Sequence, residues 1–269
     1  MNELLNANKK YYERFDAYSR FLHILVITSF ISLALTGMII KFSGIGIFQT
    51  ISKMMGGYAV TGFIHRVAAI ITFIYFFLHI GYLFRKKRKK GVPLTSFLTG
   101  ENSLVPNKND LKELIATMKW FLGKGPRPQY GRWTYWEKFD YWAVFWGVAI
   151  IGSSGLILWF PEFFTNLGLP GVFINIATII HSDEALLAVG FIFTYHFFNT
   201  HFRPDKFPMD TVIFTGKVSL EELKEDRPRE YEMIMQDPEL QKKLGGPPPV
   251  FLSRAARIFG FTALTTGII

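Results

Sequence analysis

The stretch Pro170–Arg203, PGVFINIATIIHSDEALLAVGFIFTYHFFNTHFR, limits the fold more than any other. About 20 apolar residues cross a hydrocarbon core as a helix, and this run is longer. It holds three of the six histidines. His181 and His196 are fifteen residues apart. That is roughly 22 Å of helix, most of a bilayer core. Fifteen steps of 100° leave the two side chains roughly 60° apart, close to one face.

Three further uncharged or nearly uncharged runs have the same character. The spans are expected at about 21–41, 59–84, 141–160 and 171–202. The composition agrees: 49% hydrophobic, 28 phenylalanines and only 19% charged residues, unlike a soluble domain of this length. The fold class is therefore an all-α integral membrane four-helix bundle. The last stretch, FLSRAARIFGFTALTTGII, has only twelve residues after Arg257, too few to span. It is expected to be the start of a fifth, C-terminal membrane helix, with an interfacial anchor as the alternative. Residues 1–230 form the membrane domain in this reading, and 231–269 a C-terminal tail.

Charge sets the orientation. The leader (Lys9, Lys10, Arg14, Arg20) and residues 85–140, opening on RKKRKK, hold most of the Lys and Arg. The connections at 41–58 and 161–171 hold two Lys and no Arg. The positive-inside rule then places the N-terminus in the cytoplasm, in a multi-pass protein of the inner (cytoplasmic) membrane. The net charge of +9 is a membrane flank, not a nucleic-acid surface. The leader lacks a signal-peptide pattern, so the first span is expected to be an uncleaved anchor. In the long polar segment, DLKELIATMKWFLGKG reads as a surface helix N-capped by Asp110, lying at the interface. The charges of WEKFDYW (136–142) read as an interfacial rim.

With no cysteine, the chain cannot hold disulfides, cysteine-ligated iron–sulfur clusters or covalently attached haem. Histidines are the remaining redox ligands. Topology puts His65 and His181 in an outer layer and His23, His79 and His196 in an inner one. Ionisable groups inside a membrane are costly and usually functional. Five histidines at two matched depths suit two bis-histidine haems, low-spin and fitted to electron transfer. His201 falls on another face. Arg20, Arg66 and Arg203 adjoin the histidines and are candidates for the haem propionates, since a guanidinium fork matches a carboxylate. Asp183 and Glu184 follow His181 directly, and a helix protruding into solvent would accommodate them.

RFLHILVITSFISLALTGM (20–38) resembles the first helix of the cytochrome b subunit of respiratory formate dehydrogenases. That family includes the b-type cytochromes of membrane-bound Ni-Fe hydrogenases and thiosulfate reductase. Its pattern opens the first span with Arg-x-x-His and closes it with Thr-Gly. The second helix has an outer His, and the fourth has two His followed by Gly-Lys-Val-Ser, here 216–219. The similarity runs over roughly residues 14–230. It implies that His65 pairs with His181 at an outer haem b and His23 with His196 at an inner one, beside which menaquinone or ubiquinone reacts.

The chain departs from that pattern in three ways. One extra residue separates His181 and His196, Ser182, Asp183 and Glu184 replace small apolar residues, and His79 is an alternative to His23. The linker KWFLGKGPRPQYGRWTYWEKFDYWAVFWG resembles cytochromes b that partner multihaem c-type cytochromes. The expected role is an electron-transfer subunit of a quinone-linked oxidoreductase complex, working with a periplasmic multihaem cytochrome c or an iron–sulfur/catalytic subunit. The runner-up is a non-redox membrane anchor or a proton-relaying transporter.

Overall fold

The computed structural model describes residues 10–100, 102–204 and 206–268. The leader residues 1–9, Lys9 among them, lie outside the described residues. The fold is helical with few strands, and four helices are long and apolar enough to cross a membrane: Ala17–Lys41, Tyr58–Lys89, Tyr135–Trp159 and Val172–Phe202. They are called here the first to fourth spans. The chain divides into two compact units. One comprises Phe21–Phe84 and Trp142–Phe197; the other comprises the described residues up to Arg20, Arg85–Tyr141 and the described residues from Phe198 on.

In the span unit the usual polarity of a protein is reversed. Large apolar side chains such as Phe63, Phe77 and Leu187 are exposed, while Ser29, Thr36, Thr61 and Ser154 are buried. That is the pattern of helices meeting lipid outside and packing through small residues inside. The hydroxyls stay satisfied within their own helices: Thr28 donates to the Ile24 carbonyl, Ser32 to Thr28 and Thr36 to Ser32. The connection after the first span contains a short helix, Gly46–Met54. Gly56 and Gly57, at φ of +98° and +93°, turn the chain into the second span as L side chains rarely can. The third and fourth spans pack together along Ser153–Trp159. Three π-helical segments interrupt them: Val148–Gly152, Ile192–His196 and Phe198–Phe202. Such wide turns shift the phase of everything beyond them, so the ideal-helix angle between His181 and His196 does not carry across the second one.

The other unit is built around strands. β1 (Tyr11–Glu13) lies antiparallel between β2 (Lys217–Ser219) and β3 (Leu244–Gly245). Tyr12, Val218, Leu220, Leu223 and Ile234 form its apolar core. The tail beyond residue 230 belongs to this unit too. The Gly-Lys-Val-Ser motif acquires a local role at each end. Gly216, at φ +79°, ends the helix Val212–Thr215, and its carbonyl accepts from Arg14 and Phe15. Ser219 then caps the helix Leu220–Asp226 by accepting from Glu222 N–H at 3.1 Å.

Two expectations about polar residues are corrected. The surface helix is Lys108–Phe121, and its N-cap is Asn107, not Asp110. Asn107 Oδ1 accepts from Asn109 N–H, while the Asp110 carboxylate reaches back to Asn107 N–H at 2.6 Å. Asp110 is thus the third helical residue of a capping box, where a carboxylate also meets the positive end of the helix dipole.

The charges of WEKFDYW are not a solvated rim. Thr134 and Glu137 form a second capping box that starts the third span at Tyr135, earlier than the apolar run suggested. Glu137 takes a two-pronged bond from Arg227, both at 2.9 Å, and faces buried Arg14 at 3.7 Å. Glu230 joins this cluster through Arg132 at 2.7 Å and Arg14 at 3.8 Å. Burial, reinforced by the neighbouring Arg227 charge, pushes Arg14 down to about 10. Lys138 is 4% exposed and paired with Asp110 at 2.7 Å.

The helix Val250–Ile268 is not among the four span-forming helices of the described residues. It packs on the segment around Met209 and Phe214: Phe259 lies 5.4 Å from the Phe214 ring, and Gly260 sits against Met209.

Candidate cofactor site

The second and fourth spans bring His65 and His181 together, with ring centroids 6.1 Å apart and planes at 75°. Imidazole nitrogens bind first-row metals at about 2 Å, so two imidazoles trans to one another across a metal have centroids about 6 Å apart. The observed separation matches that requirement.

The neighbouring spans set which ring nitrogen is left for a ligand role. Thr36 Oγ1 lies 2.8 Å from His65 Nδ1. Because the Thr36 hydroxyl donates to the Ser32 carbonyl, it accepts from His65, and Nδ1 carries the proton. His181 Nδ1 donates to the Ile151 carbonyl at 2.9 Å. Ile151 lies in the π-helical Val148–Gly152 segment of the third span. In both rings Nε2 therefore keeps its lone pair, the form a metal takes.

Each ring also rests on a glycine next to a hydroxyl residue. A Cβ on Gly37 would lie 3.5 Å from His65 Cε1. A Cβ on Gly155 would lie 2.9 Å from His181 Cε1 and 3.2 Å from its Nδ1. Ser154 is buried beside that ring, its Oγ 3.5 Å from His181 Nδ1 and donating to the Ile150 carbonyl. So Thr36 and Gly37 cradle His65 from the first span, and Ser154 and Gly155 cradle His181 from the third. The residues fit a group held between two imidazoles.

At the other depth, His23 and His196 are close enough to interact electrostatically. The His79 ring meets the Phe145 ring edge-on at 6.2 Å. His201 is buried in the strand-containing unit and bonds the Pro208 carbonyl through Nδ1 at 3.0 Å.

The three arginines have distinct settings. Arg66 is stacked over Trp159 at 5.9 Å. Arg20 donates to the Phe214 carbonyl at 3.0 Å, while its buried Nε has no hydrogen-bond partner. Arg203 faces Asp226 at 3.7 Å. Asp183 is exposed and paired with Lys41 at 2.8 Å, and Glu184 accepts from Trp146 Nε1 at 3.4 Å.

Residues 3–100 match the family model described as prokaryotic cytochrome b561. Over that stretch, and with its four spans, the chain is similar to membrane cytochromes b. The similarity is to the cytochrome b subunits of Ni-Fe hydrogenase-type complexes. The matched residues include His23, His65, Arg20 and Arg66, with Thr36 and Gly37; the third and fourth spans follow the match. No curated protein matches the chain. Sequence reasoning passed over Ser154, Gly155 and Ile151. The signal that could have found the first two was a hydroxyl–glycine pair within a span, Thr36–Gly37 and Ser154–Gly155, although Thr61–Gly62 of the second span shares that pattern and its glycine meets no ring.

Proposed function

We propose that this chain is a membrane cytochrome b that holds two haems b and carries electrons across the inner membrane, with its N-terminus in the cytoplasm. His65 and His181 would hold the outer haem, and His23 and His196 the inner one. Electrons pass between a quinone pool, menaquinone or ubiquinone, at the inner side and an extracytoplasmic redox partner, a multihaem cytochrome c or an iron–sulfur subunit. The observation that carries this reading is the His65–His181 pair, 6.1 Å apart, with both Nδ1 atoms occupied by protein acceptors. When bound, haem would supply one-electron transfer, with the histidines holding it in both oxidation states.

The chain's own contribution is to hold and tune. Thr36 and the Ile151 carbonyl fix the tautomers and orientations of His65 and His181, and they raise the basicity of both rings. Arg66 and Arg20 are the propionate partners, the second through its unoccupied Nε, with Arg203 as a third. Asp226 already neutralises part of the charge of Arg203, so its share of that role is smaller. At the quinone two electrons and two protons are exchanged.

The test is a reduced-minus-oxidised spectrum of the purified chain with a pyridine haemochrome count. Two haems b per chain are expected. A chain without a b-type α band would be the anchor or proton-relaying transporter instead.

A further inference from the structure

The helix Lys108–Phe121 is amphipathic the wrong way round for a protein in water. Leu111, Leu114, Ile115, Met118 and Phe121 are all exposed, Met118 at 57% and Phe121 at 72%, and exposed Leu122 follows. At 100° per residue they form one stripe covering roughly 120° of the circumference. The polar residues on one edge of that stripe face the protein and are already paired. Asp110 bonds Lys138, Glu113 bonds Arg229, and Thr117, 4% exposed, lies 2.7 Å from the Tyr130 hydroxyl. Burial pushes the Glu113 carboxyl up, against the pull of Arg229, so this edge is no water-facing surface. On the other edge of the stripe stand Lys108, Lys112 and Lys119, all exposed.

The occupant of this face follows from where the helix is tied. Asp110 holds it to Lys138, in the first turn of the third span, where the chain enters the membrane. The helix also follows the basic run that closes the second span, Arg85–Lys89. A contiguous apolar stripe of this kind needs a non-aqueous cover. Lysines along its free edge complement anionic headgroups, while their methylene stems lie against the acyl boundary.

We propose that Lys108–Phe121 lies in the bilayer surface, with Leu111, Ile115, Met118 and Phe121 in the acyl boundary and Lys108, Lys112 and Lys119 on anionic lipid. This inference is independent of the haem reading, because it uses none of the histidines.

The native chain has no cysteine, so single thiols can be placed at will. Nitroxide labels on Met118→Cys and Asn109→Cys, both exposed positions, would be read in the full chain in nanodiscs. One set of discs is phosphatidylcholine alone, the other phosphatidylcholine with phosphatidylglycerol. In the mixed discs, the label at 118 should relax several-fold more with oxygen than with an aqueous nickel complex, and the label at 109 the reverse. Replacing Lys108, Lys112 and Lys119 by Gln, or removing phosphatidylglycerol, should lower the ratio at 118 at least twofold. Equal water access at 118 and 109 would overturn the proposal. So would a photocrosslinker at Phe121 that captures protein rather than lipid in native membranes, since the cover would then be a partner subunit.

Discussion

Thr36 Oγ1 stands 2.8 Å from His65 Nδ1, and its own hydrogen goes to the Ser32 carbonyl. The direction of both bonds is thereby fixed, and His65 keeps a bare Nε2. Acceptors behind a ligand imidazole push electron density toward the metal and favour the oxidised state.

Thr36→Val should therefore retain both haems and raise the midpoint potential of the outer one. A lost hydrogen bond of about 1 kcal/mol corresponds to a rise on the order of 40 mV for one electron. Thr36→Ser should restore the parent value. Potentiometric titration followed in the α band makes the measurement, and equal potentials in Thr36→Val and the parent would remove Thr36 from this role.

The two glycines under the histidines should respond unequally to an added methyl. On Gly37 the new carbon would sit in ordinary contact at 3.5 Å, so Gly37→Ala should load haem normally. On Gly155 it would sit at 2.9 Å from the His181 ring, which must then shift. Overpacking of this kind costs about 1–3 kcal/mol, and Gly155→Ala should lose most of the outer haem while keeping the inner. Haem content per purified chain distinguishes them; equal loading in both variants would show that the ring is not held on Gly155.

His23 is placed for interaction with His196, and His79 against Phe145. His23→Ala is expected to lose one haem of two, and His79→Ala to keep both. The opposite pattern would move the inner ligand to the second span.

Asp226 gathers Lys206 at 2.8 Å, Arg127 at 2.8 Å and Arg203 at 3.7 Å. Burial alone would raise its carboxyl, but Lys206 first and then the two arginines overturn that and hold it below the usual range. A carboxylate whose folded value is depressed contributes stability above its unfolded value, about 3.9, and loses it as pH falls through the folded value. Thermal stability of the parent should fall in that acid range. Asp226→Asn should be less stable near pH 7 by about 3 kcal/mol, the scale for removing one partner of a buried pair, and flatter with acid. Matching melting profiles for the two from pH 7 to pH 3 would show that the cluster contributes nothing.

The sequence alone determined the four spans and the candidate depths of the histidines. Hydropathy and net positive flanks are local properties, additive along a run of about 20 residues. Whether a glycine or hydroxyl serves a histidine is not local. The partners of His65 and His181 lie 29 and 30 residues away, on neighbouring spans, and only packing brings Thr36 and Ile151 to them. The same holds for the leader, whose Tyr11–Glu13 reads as polar coil until it finds Lys217–Ser219 and Leu244–Gly245. It holds equally for Glu137, which reads as a membrane rim until Arg14 and Arg227 reach it across the fold. A buried charge is tolerable only with its partner present, and tertiary structure alone supplies that partner.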